Sequence, residues 1–326
     1  MSGPRAAAPL ALALALTGLL WGIESGAQAA AKSMTPGAPP ARQAALLVVT
    51  TSTDLKSLVE EVGGDRVEVE SLAPPTQDPH AVEVKPGQIA RLKGAVLLVR
   101  VGLDHEPWLA RVLAAVGDPR FARGGPADVD ASRGVRLLQA ETPRLRADRR
   151  PHVHGAGNTH YWLDPENARP ITVAILEALA RLSPADRGKF EANRRRFLER
   201  LDAGLARWMH ALAPWRSTRV VVIHETWPYF AERFGFVIVA AAEPTPGVPP
   251  SPAELAALLE RMRAAGVRLV IAEPYTDPAL LRQLAGRGGA RAVTLVPSVG
   301  GDPAAGDYLA LIDLNVKRLA EALAAR

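Results

Sequence analysis

From Ala44 onward, short apolar runs alternate with amphipathic stretches. Ala45–Thr50 (ALLVVT), Val67–Leu72 and Ala95–Val101 (AVLLVRV) read as strands, the first and third apolar enough for burial on both faces. Between and after them, Ser52–Val62 (stopped by Gly63-Gly64), Pro86–Leu92 and Pro107–Val116 read as helices. After Leu212 the same rhythm returns. Strands are expected at Arg219–Ile223, Val237–Ala241, Val267–Ala272 and Ala292–Val296, and helices at Trp227–Phe234, Ser251–Ala265, Pro278–Ala285 and Tyr308–Ala324. Strands alternating with helices imply parallel βαβ units. No internal repeat is visible, yet the two halves share a pattern.

The middle of the chain differs. Pro165–Leu182 is helical, and Ser183-Pro184 supplies an N-cap and a first-turn proline for a second helix reaching about Leu212. Phe190, Phe197, Leu201, Leu205, Trp208 and Leu212 fall on one face of that helix. At roughly 28 residues it would span about 42 Å, the length of both halves. The expected fold is α/β: two lobes with central parallel sheets, joined by a long rigid backbone helix, with any ligand in the cleft between them. The expected divisions are an N-terminal lobe over 44–164, linking helices over 165–213 and a C-terminal lobe over 214–326.

With 326 residues, 48% hydrophobic and 22% charged, the chain suits two globular lobes and is not disordered, collagenous or coiled-coil. Its +5 net charge comes from scattered arginines without aromatic platforms. Arg194-Arg195-Arg196 on the central helix reads as a solvated face, so no nucleic-acid partner is expected. Cysteine is absent, which excludes disulfides, thiolate metal sites and a cysteine nucleophile. Any metal must be held by His, Asp and Glu.

Residues 1–29 have the pattern of a secretory signal: Arg5, then the apolar run Pro9–Trp21, then Ala27-Gln28-Ala29 as a cleavage motif. The apolar run is shorter than the roughly 20 residues of a membrane span. Residues 30–43 read as a disordered lead-in. The expected product is exported, cleaved near Ala29 and not stably inserted in a membrane; lack of a cysteine for lipid attachment points to a periplasm.

Three of the seven histidines follow strands or close loops where open α/β sheets bind ligands. His80 lies in the loop after Val67–Leu72, His160 closes the loop before the central helices, and His224 directly follows Arg219–Ile223. Neutral imidazole is the commonest metal ligand, and three of them suit Zn²⁺. Each histidine taken alone reads equally well as a surface or capping residue, and only a cleft between lobes could bring them together.

Three segments resemble the metal-binding receptors of bacterial ABC importers for zinc and manganese, the cluster A-I solute-binding proteins. Gln77-Asp78-Pro79-His80, followed by Glu83 and Gly87-Gln88-Ile89, resembles the family's DPH loop and the helix after it. Asn158-Thr159-His160-Tyr161-Trp162-Leu163-Asp164-Pro165 resembles its second motif, with Thr159 where proline is usual. His224 with Trp227-Pro228-Tyr229-Phe230 resembles its third. The resemblance spans about Ala45 to Leu323. It implies a receptor that captures a divalent metal and delivers it to a membrane permease, with His80, His160 and His224 as ligands. Histidine rather than glutamate at the third position favours Zn²⁺ over Mn²⁺. The family's usual fourth ligand, an Asp after the last strand, is replaced by Val296. Glu273 is the first candidate for that position, then Glu243, then water; either carboxylate could instead orient a ligating histidine.

His152 and His154 form a small histidine-containing loop, read as a surface loop or a weaker metal site. His105 starts a helix near the cleft or lies on the surface, and His210 suits the C-terminal end of the long helix. Two other functions stay in view. One is a zinc-dependent hydrolase with three histidines and an open water position, in which Glu225, Glu273 or Glu243 would serve as base; the other is an exported adhesin binding a partner without metal.

Overall fold

A computed structural model describes residues 44–139, 157–243 and 248–325. The first lobe opens with β1 (Leu46–Thr50), α1 (Thr53–Gly63) and β2 (Val67–Ser71), then α2 (Pro86–Gly94), β3 (Leu97–Arg100), α3 (Leu109–Val116) and β4 (Asp128–Asp130). Ser52 caps α1 through a bond from the Leu55 amide at 3.2 Å. The strands form one parallel sheet in the order β2-β1-β3-β4. Two helices follow, α4 (Ala168–Leu182) and α5 (Arg187–Leu212). The second lobe comprises β5 (Arg219–Val222), α6 (Pro228–Phe234), β6 (Val237–Ala241), α7 (Pro252–Ala265), β7 (Leu269–Ala272), α8 (Pro278–Gly288), β8 (Arg291–Thr294) and α9 (Tyr308–Ala324). Its parallel sheet runs β6-β5-β7-β8, the same order as the first. The shared rhythm of the two halves is therefore a shared topology.

Burial follows from composition. Every residue of β3 (LLVR) and β7 (LVIA) is buried, as expected of central strands covered by helices on both faces. One hydrophobic core runs from the first sheet through α4 and α5 to the second sheet and α9, and smaller cores fill the outer face of each lobe. The apolar stripe of α5 lies within that core: Phe190, Phe197, Leu201, Leu205, Trp208 and Leu212 are all buried. With 26 residues α5 is about 39 Å long, and it packs on α1, α4 and α9, reaching helices of both lobes.

Two local features depart from the sequence reading. Strand β4 (Asp-Val-Asp) has no apolar run to announce it. It pairs with β3 because buried Arg100 takes Asp128 at 2.8 Å and Asp130 at 2.9 Å. The strand expected to reach Val296 ends at Thr294. Beyond it the Asn315 side chain replaces a strand neighbour, accepting the Val296 amide at 2.8 Å and donating to its carbonyl at 2.7 Å. No described helix is long and apolar enough to cross a membrane.

Candidate metal centre

The topology carries the candidate residues to the carboxyl ends of the strands. Each sheet reverses its winding between its first and third strands, where open α/β sheets leave a crevice. In the first lobe the loop after β2 brings in His80, and a tight turn after β3 brings in His105. Gly102 has φ +81°, and a Cβ there would collide with the Asp130 carboxylate. Leu103 and Asp104 continue in the left-handed region, and the His105 amide closes the turn on the Gly102 carbonyl at 2.9 Å. In the second lobe His224 follows β5 and Glu273 follows β7.

Three of the four proposed ligands come together. His80, His160 and His224 each offer a ring nitrogen, all within 4.8 Å of one another. His160 is buried, whereas His80 and His224 are half-buried, so the cluster is partly open to solvent. Their ring centroids lie 5.2–5.7 Å apart.

Hydrogen bonding sets the proton positions of two rings. His80 Nδ1 lies 2.9 Å from the His105 carbonyl, which can only accept, so Nδ1 carries the proton. His160 Nδ1 faces Asn158 Oδ1 at 3.3 Å, and the same oxygen accepts the His160 amide at 2.9 Å. The Asn158 orientation is fixed from its other end, where Nδ2 donates to Glu225 O at 2.8 Å and Gln139 Oε1 at 3.0 Å. In its neutral form each imidazole then has its lone pair on Nε2, and the two Nε2 atoms stand 3.2 Å apart. Lone pairs that close repel unless a proton or a cation stands between them. Tetrahedral zinc with Zn–N near 2.0–2.1 Å sets its ligands about 3.3 Å apart, close to the spacing present.

Glu273 stands outside this group. Its Oε1 accepts the Trp227 indole N–H at 2.8 Å, and its Oε2 takes the Thr276 hydroxyl at 3.3 Å. Burial lifts its carboxyl to about 7, against the lowering effect of the Trp227 and Thr226 bonds. Glu243 and Glu225 are likewise outside the group; Glu225 contributes its carbonyl to Asn158. His152 and His154 lie outside the described residues. His105, read as either a cleft or a surface residue, is buried behind the cluster. Its ring centroid is 4.4 Å from that of His80, and its Nδ1 is 2.8 Å from the Thr159 hydroxyl.

Sequence reasoning passed over Asn158, Tyr229 and Trp162 as individuals. The Tyr229 hydroxyl donates to the Asn158 carbonyl at 2.9 Å and accepts the Leu138 amide at 3.0 Å, bringing α6 of the second lobe to the loop that carries His160. Trp162 lies against His105 and His160, with centroids at 5.1 and 5.4 Å. Asn158, two residues before His160, is an Asx-type position and could have been singled out on that ground.

Two parallel-sheet lobes spanned by long helices, with histidines gathered from the loops of both, define a two-lobed solute-binding protein of the metal-receptor class. Residues 48–322 match the family described as ZnuA, zinc-uptake complex component A, periplasmic, and the chain belongs to that family. It is 27% identical to the high-affinity zinc uptake system protein ZnuA of Paracoccus denitrificans, over 90% of this chain and 97% of that one. The corresponding protein of Yersinia pestis is 26% identical, over 80% and 85%. Among solved structures, a zinc-bound deletion mutant of ZnuA superposes with a TM-score of 0.70 at 28% identity, covering 86% of this chain and 99% of that one. The manganese complex of the solute-binding protein FpvC from Pseudomonas aeruginosa gives 0.72 at 25% identity, covering 85% and 98%.

Proposed function

We propose that this protein is an exported receptor that captures Zn²⁺ and delivers it to the membrane permease of an ABC importer. One observation carries the reading: two imidazoles, each with Nδ1 committed to an oxygen acceptor, aim their Nε2 atoms at each other across 3.2 Å. Such a pair is arranged for a cation, and His224 supplies a third nitrogen within reach. His80, His160 and His224 are the ligands in this reading. Glu273 is a supporting carboxylate that fixes Trp227, and a water or a small movement of the cleft completes the coordination. An all-nitrogen set of this kind favours Zn²⁺ over Mn²⁺. The family is an uptake component rather than an enzyme class, and Glu273, one of the three carboxylates a hydrolase could use as base, is bonded to Trp227 and Thr276. Residues 1–29 would direct export to a periplasm, where the cleaved receptor works as a monomer.

The test is competitive titration of the metal-stripped protein with Zn²⁺ and Mn²⁺ against a calibrated chelator, beside the His160→Ala and His224→Ala variants. One tight zinc site, manganese weaker by orders of magnitude, and at least a hundredfold loss in each variant are expected. Unchanged zinc affinity without His224 would overturn the ligand assignment.

A further inference from the structure

Trp162 belongs to the first lobe but is bonded to the second twice, once through its indole and once through its backbone carbonyl. Its ring packs edge-on to His105 and tilted against His160. Its Nε1–H donates to the Pro297 carbonyl at 2.9 Å, and its own carbonyl accepts the Tyr308 hydroxyl at 2.5 Å. Pro297 lies in the loop after β8, and Tyr308 is the first residue of α9. The first lobe holds the same loop a second time, where Asp54 of α1 accepts the Val299 amide at 2.9 Å. All these groups are buried or nearly so, with Trp162 1% and Tyr308 0% exposed.

A residue in contact with a candidate ligand and bonded to the opposite lobe transmits the lobe arrangement to that ligand. We propose that Trp162 is a positioning residue for metal retention: its bonds to Pro297 and Tyr308 hold His160 in its coordinating position while the lobes are docked. When the loop after β8 moves away from α1, the indole loses its anchor and the ring of His160 loses its backing. The cluster then loosens without a change in any ligand. This inference rests on the zinc-receptor reading above.

The indole N–H is removed with least loss of volume by Trp162→Phe, and the second anchor by Tyr308→Phe, which leaves the indole intact. Trp208→Phe is the control. Trp208 is equally buried, and its N–H bonds to Asp313 on α9, away from the histidines. Zinc-loaded proteins are mixed with excess chelator and release is followed in time, well below the melting temperature measured on the same preparations. Loss of one buried hydrogen bond sets the scale. Trp162→Phe is expected to release zinc five- to tenfold faster, and Tyr308→Phe at least threefold faster. Trp208→Phe should lower the melting temperature while releasing zinc within twofold of the parent rate. The zinc-induced change in tryptophan fluorescence should be much reduced in Trp162→Phe and retained in Trp208→Phe. A parent protein that holds zinc tightly while Trp162→Phe and Tyr308→Phe release it at the parent rate would overturn this inference alone. So would an equal acceleration in Trp208→Phe, which would reduce the effect to general stability. A parent with no tight zinc site would overturn both readings.

Discussion

The Glu273 carboxylate accepts the indole N–H of Trp227 at 2.8 Å, three residues beyond His224. A counterpart exists in the first lobe, where Glu106 accepts the Thr51 hydroxyl at 2.5 Å and the Val101 amide at 2.7 Å. Each glutamate follows the third strand of its sheet, each is buried, and burial lifts each to about 7. The shared strand order of the lobes thus extends to a buried carboxyl beside each crevice. A group placed alike in both lobes, and in neither case part of the three-histidine group, reads better as lobe architecture than as a metal ligand.

Glu273→Gln keeps an oxygen for the Trp227 N–H while removing the charge. Zinc affinity in this variant is expected to stay within about threefold of the parent. Glu273→Ala leaves the buried indole N–H without a partner and should cost about 1–3 kcal/mol of stability. Chelator-competition titration and denaturant unfolding separate the two effects. A loss in Glu273→Gln as large as that in His224→Ala would make Glu273 a ligand after all.

Asn158 fixes the ring of His160 and joins it to the Glu225 carbonyl of the second lobe. Outer partners of metal-bound histidines typically contribute 10–100-fold to affinity. Asn158→Ala is therefore expected to weaken zinc binding by 10–100-fold with the fold intact by circular dichroism. Asn158→Asp restores the acceptor to His160 but turns an oxygen toward the two acceptors that Nδ2 had served. It should recover most of the affinity at a cost in melting temperature. Equal affinity in all three proteins would remove Asn158 from the site.

Much of this was legible in the chain because it is local. Spacings of seven, four and three residues from Phe190 to Leu212 dictate one buried helical face wherever the helix goes, and unbroken apolar runs such as Leu269–Ala272 dictate central parallel strands. His80 and His224 are visible as residues that follow strands, and His160 as the end of the loop before the central helices. What the chain hides is whatever a distant partner decides. Strand β4 exists because Arg100 needs two aspartates. His105 is buried because the turn at Gly102 draws its backbone against His80. Glu273 is a ligand candidate because it ends a strand at the crevice; that Trp227 bonds to its carboxylate follows from the orientation of α6, which no spacing rule encodes.

Burial also gives the metal-free protein a pH dependence of a definite sign. Asp54 is fully buried, accepts the Val299 amide through Oδ1, and has no hydrogen-bond partner for Oδ2 among the described residues. Desolvation raises it to about 7, as it does Glu106 and Glu273. In the unfolded chain these carboxyls titrate near 4. Between about pH 4 and pH 7 the folded chain therefore holds protons that the unfolded chain has released. The stabilisation this gives is full below pH 4 and is lost as pH rises through 7. The difference between the parent and Asp54→Asn isolates one such group from the rest of the chain. The two proteins should differ least near pH 5. As pH rises to 7 the variant should gain on the parent by up to about 1 kcal/mol per pH unit, and the gap should level off above pH 7. Urea unfolding of the metal-stripped proteins at half-unit steps from pH 5 to 8 measures this directly. A gap that stays constant across the range would mean that Asp54 titrates as an ordinary carboxylate, with water reaching the joint between α1 and the Val299 loop.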